Sequence, residues 1–220
     1  MTSLLTGRRC LLLDFDGPVC SVFAGLPDHV AAAELAAALD PPAPATVRDY
    51  TDPFDVLRYA AEHRPDEAAA IESRFTDIER RAVACARPTP DAAELIYDAA
   101  NRPATVVAIV SNNSVAAIDA YLTAHGLRTQ ISGIFARTCA DVSRLKPAPT
   151  LLLDALDTLN IPASNAVFVG DSITDVQAGQ AAGVPVIAFA NRPDKVHRLT
   201  AARPAEIVTS MAQVRDQLAQ

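Results

Sequence analysis

The chain has 220 residues, half of them apolar and a fifth charged, with a formal net charge of −7 and a pI near 5.0. That length admits one large domain, or a core with a smaller companion, and a globular interior of ordinary size. The acidic balance argues against a nucleic-acid or anionic-membrane partner, although a local basic pocket could still take a phosphate ester. Cys10, Cys20, Cys85 and Cys139 form no CxxC pair and show no metal-like spacing. They read as reduced, mostly buried small hydrophobes of an intracellular protein. Arg8-Arg9 precedes an apolar run that Asp14 cuts short, so no signal peptide is expected. No apolar stretch reaches the roughly 20 residues of a membrane span. A cytoplasmic protein is expected.

The first element is the apolar run Cys10–Leu13, short and continuous, as in a strand covered on both faces of a parallel sheet. About 90 residues separate it from the next such run. That interval carries helical patterns at Asp28–Leu39, Phe54–His63 and Asp66–Ala86, with a Pro-rich break after Asp40, and closes near Arg87-Pro88-Thr89-Pro90. It reads as an all-α insertion of about 70 residues, within the normal range for a small domain. Strand-like runs then recur at Thr105–Val110, Ala166–Val169 and Val184–Ala190, with a weaker one at Glu206–Val208. Helical stretches at Val115–Ala124, Thr150–Leu159, Ile173–Ala182 and Pro193–Ala202 alternate with them, and Gly126 and Gly183 stand where C-caps belong. The pattern predicts a doubly wound α/β sheet, with residues 1–19 and 88–220 forming the core and 20–87 the helical insertion.

Ligands of such sheets bind beyond the carboxyl ends of the strands. The runs deliver Asp14-Phe15-Asp16-Gly17, Ser111-Asn112, Gly170-Asp171-Ser172 and a polar turn at Asn191, and Lys146 precedes the Thr150 helix. Asp14 and Asp16, two apart in extended chain, share a face. Two carboxylates that close recruit a cation or share a proton; equally, an Asp-Gly pair is a common way to end a strand. Asp171 and Asp175 offer hard oxygens suited to Mg²⁺, while Ser172 with Asp175 also matches a capping box. Ser111 and Asn112 are expected to end a strand and begin a helix, where free N–H groups cradle phosphate or where a plain N-cap sits. Lys146 would serve phosphoryl transfer by neutralising charge on equatorial oxygens; alone, it is a solvated loop lysine. Arg48, Arg58, Arg74, His29 and His63 of the insertion read first as surface or structural residues.

In this order, the pieces resemble the four motifs of haloacid dehalogenase-like hydrolases: Asp14-Phe15-Asp16-Gly17, then Ser111, then Lys146, then Gly170-Asp171-Ser172-Ile173-Thr174-Asp175. The resemblance covers essentially the whole chain, because the insertion falls where the family carries its small cap. It implies a Rossmann-like core with that cap, and a phosphatase. Asp14 would be the nucleophile, forming an aspartyl-phosphate, and Asp16 the acid and then the base. Lys146 would steady the nucleophile and the transferring group, while Ser111, Asn112 and Gly17 bind substrate. Mg²⁺ would be held by Asp14, Asp16 through its backbone carbonyl, and Asp171, with Asp175 alongside. The substrate implied is a small phosphorylated metabolite, and the cap resembles that of phosphoglycolate phosphatase-type members. A phosphomutase with the same core and a non-catalytic phosphate-binding relative stay open. Pro18 departs from the Thr or Val usual after Asp-Gly; it deletes a backbone N–H and fixes φ.

Overall fold

The computed structural model describes residues 3–219. Strand β1 (Cys10–Leu13) lies inside a six-stranded parallel sheet, flanked by β4 (Val106–Ser114) and β6 (Ala166–Gly170). Outside β4 runs β5 (Gly133–Arg137); beyond β6 come β7 (Val186–Phe189) and β8 (Glu206–Val208), for an order β5-β4-β1-β6-β7-β8. The chain therefore builds outward from β1 in one direction and then in the other. The reversal opens a crevice at the carboxyl end of β1.

The continuous apolar runs have a simple cause. Alternate residues of β1 face opposite layers. Leu11 and Leu13 join Val107, Ile109, Val167 and Val169 in one core, and Cys10 and Leu12 join Ala108, Val110 and Phe168 in the other. Helices α5 (Ala92–Ala100), α6 (Val115–Ala124) and α10 (Met211–Asp216) cover the first layer; α7 (Thr150–Leu159), α8 (Ile173–Ala182) and α9 (Pro193–Ala202) cover the second. Neither face of the strand meets water, so neither carries polar residues.

Between β1 and β4 the chain forms α1 (Asp28–Ala36), α2 (Ala45–Arg48), α3 (Pro53–His63) and α4 (Pro65–Val83), which share a separate apolar cluster around Leu35, Leu57, Ile71 and Phe75. Pro53 and Pro65 stand in the first turns of α3 and α4, where a missing N–H costs nothing, and Asp52 caps α3 by accepting from Phe54 N at 2.8 Å. A two-residue ladder, β2 (Cys20–Ser21) antiparallel to β3 (Arg87–Pro88), joins the chain entering the helical segment to the chain leaving it.

Several expectations are corrected. Strand β4 continues through Ser114, so Ser111 and Asn112 do not open a helix; Ser114 is the N-cap of α6, accepting from Ala117 N. β5 and the β2–β3 ladder have no strong periodic signal; α5 went unexpected although Ala92, Leu95, Ile96 and Ala99 fall at helical spacing. β5 is a five-residue edge strand, and β2 and β3 have two residues each. Only Cys10 and Cys20 are buried; Cys85 and Cys139 are exposed, and all four are free thiols. Among the described residues, no helix is long and apolar enough to cross a membrane.

Phe15 anchors the loop after β1: it is fully buried and meets Tyr121 edge to face, with ring centroids 5.3 Å apart. Phe15→Ala should cost about 3–5 kcal/mol, read as a lower denaturation midpoint in urea with the slope unchanged.

Candidate active site

Asp14 sits at the end of the β1 ladder, its N–H on Val169 O at 2.8 Å. With Phe15 turned down into the core, Asp14 and Asp16 turn up. Asp16 Oδ1 accepts from Val22 N at 2.9 Å. Gly17 has φ +103°, its N–H donates to Cys20 O at 2.7 Å and its carbonyl accepts from Thr89 Oγ1 at 2.6 Å. A Cβ here would run into the Asp171 carboxylate. Glycine is thus required for both backbone conformation and space.

The second acidic pair comes from the β6–α8 junction. Ser172 and Asp175 form the capping box. Asp175 Oδ2 accepts from Asp171 N and Ser172 N, each at 3.0 Å, and from Ser172 Oγ at 2.6 Å. Its Oδ1 faces Lys146 Nζ at 2.6 Å. The capping explanation therefore holds for Asp175, yet the same carboxylate is fully buried and belongs to the site. One oxygen each from Asp14, Asp171 and Asp175 lie within 4.8 Å of one another.

Lys146 is buried among these acids. Its ammonium pairs with Asp14 Oδ1 at 2.8 Å and with Asp175, donates to Val110 O at 3.2 Å, and lies 5.4 Å from the Phe168 ring centroid. Burial alone would push its pKa down, but Asp14 and Asp175 hold it above the ordinary lysine value. Burial lifts Asp14 to about 7 against the pull of Lys146, with Asp175 and Asp171 adding repulsion. Asp16 is also lifted to about 7 by burial, opposed by its bond from Val22, with further repulsion from Asp171 and Asp28. Asp171 is raised by burial, against the opposing effect of Lys195 in the first turn of α9, whose ammonium pairs with Asp171 Oδ2.

The β4 end supplies the rest. Ser111 Oγ donates to Asn113 Oδ1 at 3.2 Å. The Asn112 side chain clasps the Lys146 backbone, accepting from its N–H at 2.8 Å and donating to its carbonyl at 3.1 Å. A cavity of about 230 Å³ opens above these groups; Asp14, Asp16, Ser111, Asn112, Lys146 and Asp171 line its floor, while Asp52, Phe54 and Arg58 come from the helical segment. Arg48 and Arg74 are exposed and do not line it.

The donor set fits a hard divalent cation. Its oxygens are clustered carboxylates whose repulsion Lys146 and Lys195 only partly offset, and carboxylate ligands are what Mg²⁺ takes. Sequence reasoning missed Lys195, Glu79 and Arg137. Glu79 left a legible signal, an acid within the apolar stripe Ile71, Phe75, Ile78 and Ala82 of α4. Arg137 and Lys195 left none, because each reaches its place through strand order.

The family model for haloacid dehalogenase-like hydrolases matches residues 9–183. A bifunctional riboflavin kinase/FMN phosphatase of Arabidopsis thaliana is 34% identical over 110 residues, half of this chain and 28% of that protein. The chain thus spans just over a quarter of that relative's length. A phosphoglycolate phosphatase of Xylella fastidiosa is 28% identical over 184 residues, 80% of this chain and 78% of the relative. The crystal structure of CbbY from Rhodobacter sphaeroides with phosphate superposes with a TM-score of 0.72 at 22% identity, over 97% of this chain and all of that one. That likeness establishes a common fold. The match through residues 9–183, which takes in every acidic residue of the cluster and Lys146, means that the chain belongs to the haloacid dehalogenase-like hydrolases.

Proposed function

We propose that this chain is a Mg²⁺-dependent phosphoric monoester hydrolase acting on a small phosphorylated metabolite, with residues 1–19 and 88–220 as its catalytic core and 20–87 as its cap. The observation that carries this reading is the buried Asp14–Lys146–Asp175 ion network beside Asp171, at the open end of the sheet and facing cap residues.

Asp14 is the nucleophile. Its carboxylate oxygen bonds to phosphorus as the ester P–O bond breaks, and the protonated Asp16 carboxyl gives its proton to the leaving oxygen. Asp16, now a carboxylate, takes a proton from water as that water's oxygen attacks the aspartyl-phosphate, releasing phosphate and Asp14. Lys146 orients Asp14 through their ion pair and faces the developing charge. Ser111 and the Asn112 amide bind phosphoryl oxygens, with Gly17 keeping the loop close. Asp14, Asp171 and the Asp16 backbone carbonyl would hold the metal, and Asp175, of the same acidic cluster, is Lys146's second partner. Bound there, Mg²⁺ would neutralise charge on nucleophile and phosphate.

The cavity lies below the roughly 300–1,000 Å³ usual for drug-sized ligands, which favours a compact substrate. Arg58 on its wall offers an anion partner. Small esters such as phosphoglycolate should accordingly outperform FMN, the larger molecule named by the other relative. The four free thiols suit a reducing compartment, and the cytoplasm is the proposed location.

With Mg²⁺, the protein should hydrolyse para-nitrophenyl phosphate, and Asp14→Asn should lose at least about 10³-fold in kcat, a size typical of an essential group acting with its partners. Equal turnover by that variant would overturn the nucleophile assignment. In a thermal-shift assay, Mg²⁺ at about 100 times its Kd should raise Tm by about 5–10 °C in a chain of this size. Asp171→Asn should flatten that response. Asp16 must be protonated for the first step, and burial lifts its pKa to about 7. The protonated fraction falls as pH rises through that value, so kcat/KM should decline about tenfold per pH unit on the alkaline side. Asp14 must be ionised, and a bound cation lowers its pKa, so Mg²⁺ should move the acid limb to lower pH.

A further inference from the structure

The pairing of β4 with β5 is interrupted where the phosphate-binding residues lie. Ser111 pairs with Ala136, but the next partners are Ser114 and Arg137, so Asn112 and Asn113 bulge out of the ladder. A bulge re-aims side chains and frees backbone groups that must find new partners when buried. Here those partners are charged and come partly from the cap. Glu79 of α4, with no exposure, accepts from Ser114 N at 2.9 Å and from Asn113 Nδ2 at 3.0 Å. Arg137, 2% exposed, donates to Asn112 O at 3.2 Å through Nε and to Glu79 Oε2 at 2.6 Å; its other nitrogen pairs with Glu72, one heptad before Glu79 on α4. The guanidinium also lies 4.4 Å from the Phe75 ring centroid.

We propose that Glu79 and Arg137 are positioning residues: their buried ion pair sets the shape of the Ser111–Ser114 bulge and, through the Asn112 clasp, the placement of Lys146. The inference rests on the phosphatase reading above. Neither residue touches the reacting atoms. Each fixes a backbone group of the bulge from outside the site, Arg137 at the Asn112 carbonyl and Glu79 at the Ser114 amide. Asn112 then holds the Lys146 backbone by two hydrogen bonds. Two charges in a dry interior are hard to justify as stability devices, since apolar residues of similar volume generally do as well. Their use here is geometric. A planar guanidinium presents its donors in a rigid fork, so it holds Glu72, Glu79 and the Asn112 carbonyl in one fixed plane, where an ammonium on a flexible stem sets no such plane.

The test compares wild type, Arg137→Lys and the double variant Glu79→Met/Arg137→Met, which removes the ion pair, leaves Glu72 and the Ser114 and Asn112 backbone groups without these partners, and should melt below the wild type. The double variant should lose about 10- to 100-fold in kcat on para-nitrophenyl phosphate with KM little changed, as expected for a misplaced catalytic group. Hydrogen–deuterium exchange should quicken by about tenfold at the amides of residues 112–114 and of Leu145 and Lys146, reporting a loosened bulge and a released Lys146 backbone. Arg137→Lys, which keeps the charge and loses the fork, should fall between. A folded double variant with wild-type kcat and exchange would overturn the proposal, as would a kcat loss without faster exchange at Leu145 and Lys146. If the double variant does not fold, the same two readouts on Arg137→Lys decide the matter. A wild type without phosphatase activity would sink the functional reading, while the exchange measurements would still judge the brace.

Discussion

One buried ammonium holds the site together. Lys146 stands between Asp14 and Asp175, and without it two carboxylates would be left in a dry pocket beside a third at Asp171. Like charges so close cannot all ionise unless something positive is near. The arrangement needs the lysine to be immobile, which explains why its backbone is clasped by Asn112 and its tip is satisfied by Val110 O as well as by the acids. A solvated lysine on a flexible loop would give little of this stabilisation, since water would screen it.

The fold supplies the immobility. β1 lies where the sheet order reverses, so the residues at the carboxyl ends of β1, β4 and β6 come together at one crevice. The ladders pair Leu13 with both Ile109 and Val169, which puts Ser111 and Asp171 level with each other and one residue beyond Asp14. The helical segment closes over them with Asp52, Phe54 and Arg58 and reaches into the core through Glu79. The helical segment and the sheet are thus tied at the bulge beside the floor of the cavity, so the helices belong to the site's framework as well as to its cover.

Assembling acids costs stability. The carboxyl groups of Asp14 and Asp16 titrate near 7, well above their values in an unfolded chain. The folded state therefore holds protons that the unfolded state has released. Their contribution is greatest at pH below about 4 and is lost as pH rises through about 7. A divalent ion bound among these acids would oppose the effect by favouring the charged forms. Such local cost is ordinary at functional sites, where groups are placed for chemistry and the surrounding core holds them there.

Much was legible in the chain itself. Cys10–Leu13 reads as a buried strand, four core helices lie within their expected bounds, and the acidic residues stand directly after apolar runs, because period and punctuation are local properties. Asp175 shows where local reading stops: its spacing from Ser172 announces a capping box, and only the folded chain brings Lys146 to its other oxygen. Arg137, Glu79 and Lys195 act through partners 24 to 65 residues away in sequence. Hydrophobic period and capping act over a few residues, so the chain alone announces the buried strands, most of the helices and the candidate acids, but not the edge strand β5 or the short β2–β3 ladder. Only the tertiary structure decided which charges meet, because strand order and a two-residue bulge place them, and neither leaves a local trace.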